Sequence, residues 1–374
     1  MIKTEIMKKI ILFGALLLVL VSCRHDAPKS IGIDQRIKFD VEQMSSLSQD
    51  IDTVEYLPLE FNEKGLYSNS SKVVFRNGKI FIGDFVLNKI AVYDYMGKFL
   101  YVINSRGRAA NEYLEIKSFC VTEHEIAIID NVNHHLKLYD VESGCFIENK
   151  NMPFVAWDVE WLVNDGFVFA FSSLQKDYCP NKLRYRRFFT DADLNITDKR
   201  YPFSEKEIDP IGKITYFSST PDEIIFHWCG ADYFSVIDRV DTDSVQVFGV
   251  DFGSYKVPDE YREDINKMDQ GEYFYIYNTP VCSGNYFALD VMSRESSNCY
   301  LYSMADNLVK QNVEGDKWGM FYPVCTDEQG RFICLLDSYD DYKMLIEYGF
   351  PKASQKVEER MKAGGVIVLK YQMK

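Results

Sequence analysis

The chain has 374 residues, of which 47% are hydrophobic, 26% charged and 15% aromatic. That is too apolar and too aromatic for a disordered chain, and it is long enough to bury a large core. Lys and Arg number 42 against 56 for Asp and Glu, a formal charge of −14. A nucleic-acid binder shows a basic stripe instead, so no nucleic-acid partner is expected. The 26 Phe and 25 Tyr, against only 11 Pro, read as strand-rich.

At the N-terminus, Lys3, Lys8 and Lys9 precede an apolar run from Ile10 to Val21, followed by Ser22 and Cys23. As a helix this run spans about 18 Å, too short for a hydrocarbon core of about 30 Å. Basic start, apolar stretch and small-residue end are the parts of a secretory signal. The ending Leu20-Val21-Ser22-Cys23 resembles the bacterial lipoprotein signal, in which the cysteine is acylated and becomes residue one. The expected organisation is a signal peptide over 1–22, a lipidated tether over 23–48 and a single domain over 49–374. The lipid on Cys23 would hold the protein to a membrane of the cell envelope without spanning it. Arg24–Ser30 lacks an acidic cluster resembling the surface-export signal of Bacteroidetes lipoproteins. An outer-membrane anchor facing the periplasm is therefore expected rather than surface display.

The body repeats. Gly78-Lys79-Ile80-Phe81-Ile82-Gly83-Asp84 is matched by His124-Glu125-Ile126-Ala127-Ile128-Ile129-Asp130, and each is followed by a second strand ending in Asp94 or Asp140. Weaker copies begin near Phe167, Ile224, Tyr286 and Phe332, giving six copies at a mean period of about 50 residues. Short strands with period-two alternation and turn residues between them are propeller-like, at one four-stranded blade per copy. The expected fold is all-β: a six-bladed β-propeller with blades of four antiparallel strands. Val54–Glu60 should supply the outermost strand of the last blade, since Pro58 needs an edge and an unclosed ring leaves one exposed. Lys343–Lys362 reads as a helical interlude decorating that blade.

The lipobox, the opening Asp52-Thr53-Val54-Glu55-Tyr56-Leu57-Pro58-Leu59-Glu60, the first-blade ending Tyr93-Asp94-Tyr95-Met96-Gly97-Lys98-Phe99 and the closing Val366-Ile367-Val368-Leu369 carry a family resemblance. Together they resemble the six-bladed β-propeller lipoproteins of Bacteroidetes, themselves similar to NHL-repeat propellers. Such proteins carry a Gly-x-Gly-Pro-Gly-Glu-Tyr turn after the first blade. Here it reads Arg106-Gly107-Arg108-Ala109-Ala110-Asn111-Glu112-Tyr113, with the Glu-Tyr pair kept and the Gly-Pro-Gly core replaced. The resemblance implies fold and location more than activity.

No catalytic set is recognised. His-Glu-x-x-His, Cys-x-x-Cys, Gly-x-Ser-x-Gly, phosphate loops and dinucleotide fingerprints are missing from the sequence, so no metal site and no cofactor is expected. Ser173-Leu174-Gln175-Lys176 matches Ser-x-x-Lys without its supporting motifs, and Asp191–Asn195 opens like a calcium loop without its Gly and Glu. The Asp ending each copy, namely Asp84, Asp130, Asp290 and Asp337, should cap a strand or fix a turn. Cys120, Cys325 and Cys334 fall in apolar strands and read as small core residues.

Function is expected on loops over the rigid blades. Candidate ligand contacts are Arg106, Arg108, Glu112 and Tyr113 in the altered turn, His134 and His135 between two strands, Arg184 and Arg186 in the one basic cluster, and Tyr273 and Tyr275 in an aromatic insertion. These residues suit a glycan or a protein partner at a channel mouth. The leading expectation is a membrane-anchored binding module. The alternative is a glycoside hydrolase or lyase using carboxylates at the central channel.

Overall fold

Strands that are apolar on both faces must be covered on both, and the chain meets this need by setting six sheets side by side around an axis. The computed structural model describes residues 31–40, 44–164, 166–178, 180–205, 207, 209–210, 212–294, 297–312, 320–347 and 349–374. The signal peptide and Cys23 lie outside the described residues.

Three strands precede the first blade: β1 (Gln35–Lys38), β2 (Ser45–Ser46) and β3 (Ile51–Pro58). Blade 1 is β4 (Lys72–Arg76), β5 (Lys79–Asp84), β6 (Lys89–Asp94) and β7 (Phe99–Ile103). Blade 2 is β8 (Ser118–Val121), β9 (Glu125–Asp130), β10 (His135–Asp140) and β11 (Phe146–Asn151). Blade 3 is β12 (Asp158–Trp161), β13 (Phe167–Ala170), β14 (Tyr185–Thr190) and β15 (Ile196–Pro202). Blade 4 is β16 (Phe217–Ser219), β17 (Glu223–Phe226), β18 (Tyr233–Asp238) and β19 (Val245–Asp251). Blade 5 splits its inner strand into β20 (Tyr275–Ile276) and β21 (Val281–Ser283), followed by β22 (Tyr286–Met292), β23 (Ser297–Ser303) and β24 (Leu308–Gln311). Blade 6 is β25 (Cys325–Thr326), β26 (Phe332–Leu336), β27 (Ile367–Met373) and, as its outermost strand, β3. The inner strands neighbour one another in the order β4, β8, β12, β16, β21, β25 and back to β4.

The sequence repeats are thus the second strands of the six blades. Alternation divides each between two cores: Ile80 and Ile82 pack toward blade 6 while Phe81 packs toward blade 2. Likewise Ile126 and Ile128 face blade 1, and Ala127 and Ile129 face blade 3. Cys120, Cys325 and Cys334 are buried in these interblade layers as free thiols.

Closure runs as the sequence predicts, with β3 antiparallel to β27 and Pro58 opposite Ile367 at the strand end. Two expectations change. Part of the stretch read as tether is folded: β1 pairs in parallel with β19 and β2 with β24, adding a fifth strand outside blades 4 and 5. Ile37 and Phe39 enter the core between those blades, so the propeller unit begins at Ile33 rather than residue 49. An open outer edge favours such pairing. The helical interlude is two helices, α2 (Tyr339–Glu347) and α3 (Gln355–Lys362), separated at Gly349, whose φ is +84°, and Pro351. A further single-turn helix, α1 (Ile265–Met268), lies in the connection to blade 5.

Candidate functional site

Antiparallel alternation sorts the connections onto two rims. Turns joining first to second and third to fourth strands share one rim and are short. Aspartates tie many of them: Asp94 accepts the Met96 and Lys98 amides at 2.9 and 2.8 Å, and Asp238 accepts the Val240 amide at 2.7 Å. The Ser143 hydroxyl and the Asn195 side chain, followed by backbone amides, hold the Asp140 and Asp191 carboxyls below their ordinary range, and backbone amides do the same for Asp238. The opposite rim carries the interblade connections and the long insertions 171–184, 203–216, 252–274 and 337–366. There an Asp at the end of the second strand in blades 1, 2, 5 and 6 ties the neighbouring loop: Asp84 accepts from the Ser68 and Leu87 amides, Asp130 from the Leu114 and Asn133 amides. Asp290 accepts from Asn278 and Ser297, and Asp337 from the Tyr67 hydroxyl.

Every described candidate chosen from sequence falls on this long-loop rim, but on separate blades. Arg106 and Tyr113 pair through their backbones, and the Glu112 carboxylate folds back onto the Ala109 amide at 2.8 Å. Arg106 and Arg108 are exposed. Tyr113 is fully buried, its hydroxyl donating to the Asn88 carbonyl at 2.7 Å. His134 is exposed at a left-handed turn position, φ +54°, and His135 Nε2 meets Asn151 Oδ1 at 3.1 Å. Arg184 pairs with Glu205 at 3.7 Å. Arg186 is buried against Asp209, which also takes the Ser172 hydroxyl and Ser173 amide, so it ties the 203–216 connection to blade 3. Tyr275 is buried with its hydroxyl on Asp269 at 2.8 Å, and Tyr273 is half-buried against Tyr261. Ser173, the serine of the Ser-x-x-Lys match, accepts the Asp209 amide, while Lys176 reaches the Glu205 carbonyl.

What converges on the axis is a different set. A cavity of about 220 Å³ lies along the channel, lined by all of β4 and by residues of β12, β16, β21 and β25. Strand period explains its chemistry: Lys72 and Arg76 alternate on β4, and Asp158 and Glu160 on β12. Asp158, fully buried, accepts Lys72 Nζ at 2.9 Å, the Ser118 hydroxyl at 2.5 Å and the Tyr216 and Phe217 amides at 2.8 and 3.0 Å. One carboxylate therefore joins blades 1 to 4. Two carboxylate neighbours hold the Lys72 ammonium charged against the burial that opposes it.

Glu160 takes Lys72 at 3.3 Å and Arg239 at 3.2 Å. Arg239 also donates to the Trp161 and Thr220 carbonyls at 2.6 and 3.1 Å. Its guanidinium carbon lies 4.4 Å from the Trp161 ring centre, and that of Arg76 lies 4.0 Å from the same ring. Toward the long-loop mouth, buried Lys213 donates to His227 Nδ1 and Thr279 Oγ1, both at 2.8 Å. His227 Nε2 then donates to the Ala231 carbonyl. Burial brings the Lys213 ammonium down to about 7, and burial beside Lys213 takes the His227 imidazolium well below its ordinary range.

Sequence reasoning missed this channel set. The available signal was charge on one face of two short inner strands, Lys-Val-Val-Phe-Arg and Asp-Val-Glu-Trp, where the other described inner strands carry none. Among the described residues, no group of three or more His, Cys, Asp or Glu is placed to hold a metal, and no helix is long and apolar enough to cross a membrane.

Comparison with known proteins agrees with the architecture. A crystal structure of a Bacteroides fragilis protein described as a "putative exported protein" superposes with a TM-score of 0.72 at 16% identity, over 91% of this chain and 100% of that one. A member of the DUF4221 family from Bacteroides vulgatus gives a TM-score of 0.47 at 11% identity, over 87% of this chain and 97% of that one. No curated protein matches the chain. A family model covers residues 31–366, and the chain belongs to that family, described as Domain of unknown function (DUF4934).

Proposed function

We infer that the protein is a binding module of the cell envelope whose ligand enters the central channel. The observation that carries this reading is a polar cavity whose acids are already engaged. Glu160 lines it with Lys72 and Arg239, and buried Asp158 pairs with the same Lys72, yet both carboxylates hold blades together through ion pairs and backbone amides. Asp327 is bound by Arg331 and by the Gln329 and Arg331 amides, and Glu328 by the Asn77 and Gly78 amides. A glycosidase, or a lyase working through carboxylates, needs one carboxyl free to give a proton and another free to attack or take one. Engaged carboxylates with an open cavity favour retention of a ligand over its cleavage, and the cavity speaks against a purely structural, filled channel.

The test is a thermal-shift screen of the full-length protein against glycans, peptides and organic acids, with product analysis on each stabilising well. A ligand that binds the native state raises the melting temperature by mass action. Stabilisation without product supports the binding reading. Cleavage of a stabilising glycan would replace it with the hydrolase or lyase.

The envelope location rests on the Leu20–Cys23 pattern and on the exported description of the Bacteroides fragilis protein of like fold. Acylation at Cys23 is tested by labelling cells with a fatty-acid probe. Label on the native chain and none on Cys23→Ala is the expected result, with the variant released from membranes.

A further inference from the structure

Resting on the channel-binding reading, we propose that Arg76, at the short-turn mouth, anchors the carboxylate of a small hydroxylated ligand of the uronic-acid class. Arg76 ends β4, beside the Asn77–Gly78 turn, and is half-buried in the cavity wall. Among the described residues its guanidinium has the Trp161 ring as a neighbour but no bonded carboxylate, carbonyl or hydroxyl, and its Nε is buried without a partner. Buried donors left unpaired are rare in native proteins and call for an explanation. Arg187 also leaves its Nε buried without a partner, but its guanidinium is sealed against Phe189, Tyr201 and Phe226 and bonded to Ser235, where no ligand can reach. Arg76 opens instead onto the channel, whose mouth is bordered by exposed Pro221 and Glu328.

Charge selects the class of ligand. Lys72 and Arg239 are ion-paired with Asp158 and Glu160, whereas Arg76 in the same cavity wall has no ion pair of its own among the described residues. Burial and then Arg239 work against the Arg76 guanidinium, with Glu160 and Glu328 opposing them in part, and an incoming anion adds to that support. Glu328 stands at the same mouth with its oxygens on the Asn77 and Gly78 amides, so a second negative charge is repelled. A single carboxylate matches this balance better than a phosphate dianion, and it accepts the guanidinium fork through two oxygens. The rest of the wall is rich in hydroxyls, with Thr215, Ser219, Thr220, Thr279 and Thr326 lining the cavity. Such a wall suits a sugar ring bearing hydroxyls.

The experiment measures the melting temperature of full-length protein with about 10 mM glucuronate, glucose or phosphate. It compares wild type with Arg76→Gln, Arg76→Lys and Ser219→Trp, the last to plug the channel. Glucuronate is expected to raise the wild-type value by about 2 °C or more, glucose to leave it unchanged and phosphate to do less. Arg76→Gln should lose that shift, and Arg76→Lys, which keeps the charge without the fork, should retain part of it. Should Arg76→Gln fold poorly, loss or partial retention in Arg76→Lys decides the matter. Glucose or phosphate matching glucuronate overturns the carboxylate assignment. A glucuronate shift that survives Arg76→Gln but disappears in Ser219→Trp overturns the role of Arg76 and leaves channel binding standing. A shift that survives both variants overturns the anchor and the channel reading together. No shift with any of the three probes overturns the uronate class alone, since the wider ligand screen tests the channel separately.

Discussion

The two ends of the channel use the same residue types for opposite ends. Toward the long-loop rim, Asp158 and Lys72 satisfy each other and four successive blades, and Lys213 has acceptors in His227 and Thr279. At the short-turn rim, Arg239 is fully engaged but Arg76 beside it is not. The long insertions draw attention as sites, yet several of their striking side chains hold the insertions down: Arg186 through Asp209, Tyr113 through Asn88, Tyr275 through Asp269. Loop length therefore marks where a propeller can vary, while an unpaired buried donor marks where it has unmet bonding capacity.

The largest test of this contrast is Asp158→Ala. It leaves the Lys72 ammonium with Glu160 as its one carboxylate and strands two buried amides, and the expected loss is about 3–5 kcal/mol by urea unfolding. A loss below about 1 kcal/mol would mean that the channel network does not join the blades. Next comes truncation: protein starting at residue 47 should be less stable than protein starting at residue 33. Removing buried Ile37 and Phe39 costs on the order of 3 kcal/mol or more, and the bared edges of β19 and β24 should promote association, seen by light scattering.

A smaller effect separates the two ends by pH. The folded Lys213 amine releases its proton near 7, while the unfolded side chain keeps it to about 10.4. The unfolded state thus holds more protons between those values, and stability should rise by about 1–2 kcal/mol from pH 7 to 9. Lys213→Met should flatten that rise in unfolding curves taken across the range. The His227 imidazole, neutral in the fold, adds a separate loss of stability as pH falls below about 6.5. At the other mouth, Arg76→Gln without ligand should change stability by less than about 1 kcal/mol, since only a ring contact is lost. Smallest of all, Arg106→Ala and Arg108→Ala on the exposed turn should stay within about 0.5 kcal/mol by thermal unfolding.

The sequence alone determined the architecture. Six copies of an apolar strand, four of them ending in Asp, at a mean period of about 50 residues, predict six blades because alternation and turn chemistry are local properties. Closure by Val54–Glu60 was legible for the same reason, since Pro58 restricts its strand to an edge. Strands β1 and β2 were not legible: four residues of β1 and two of β2 have no distinguishing pattern, and their strand state exists only because β19 and β24 offer an edge. The channel set was decided by tertiary structure. Lys72 meets Asp158 across 86 positions and Arg239 meets Glu160 across 79. A charge in an inner strand shows that it faces an axis, but only the closed ring fixes which opposite charge it meets there and which guanidinium is left without one.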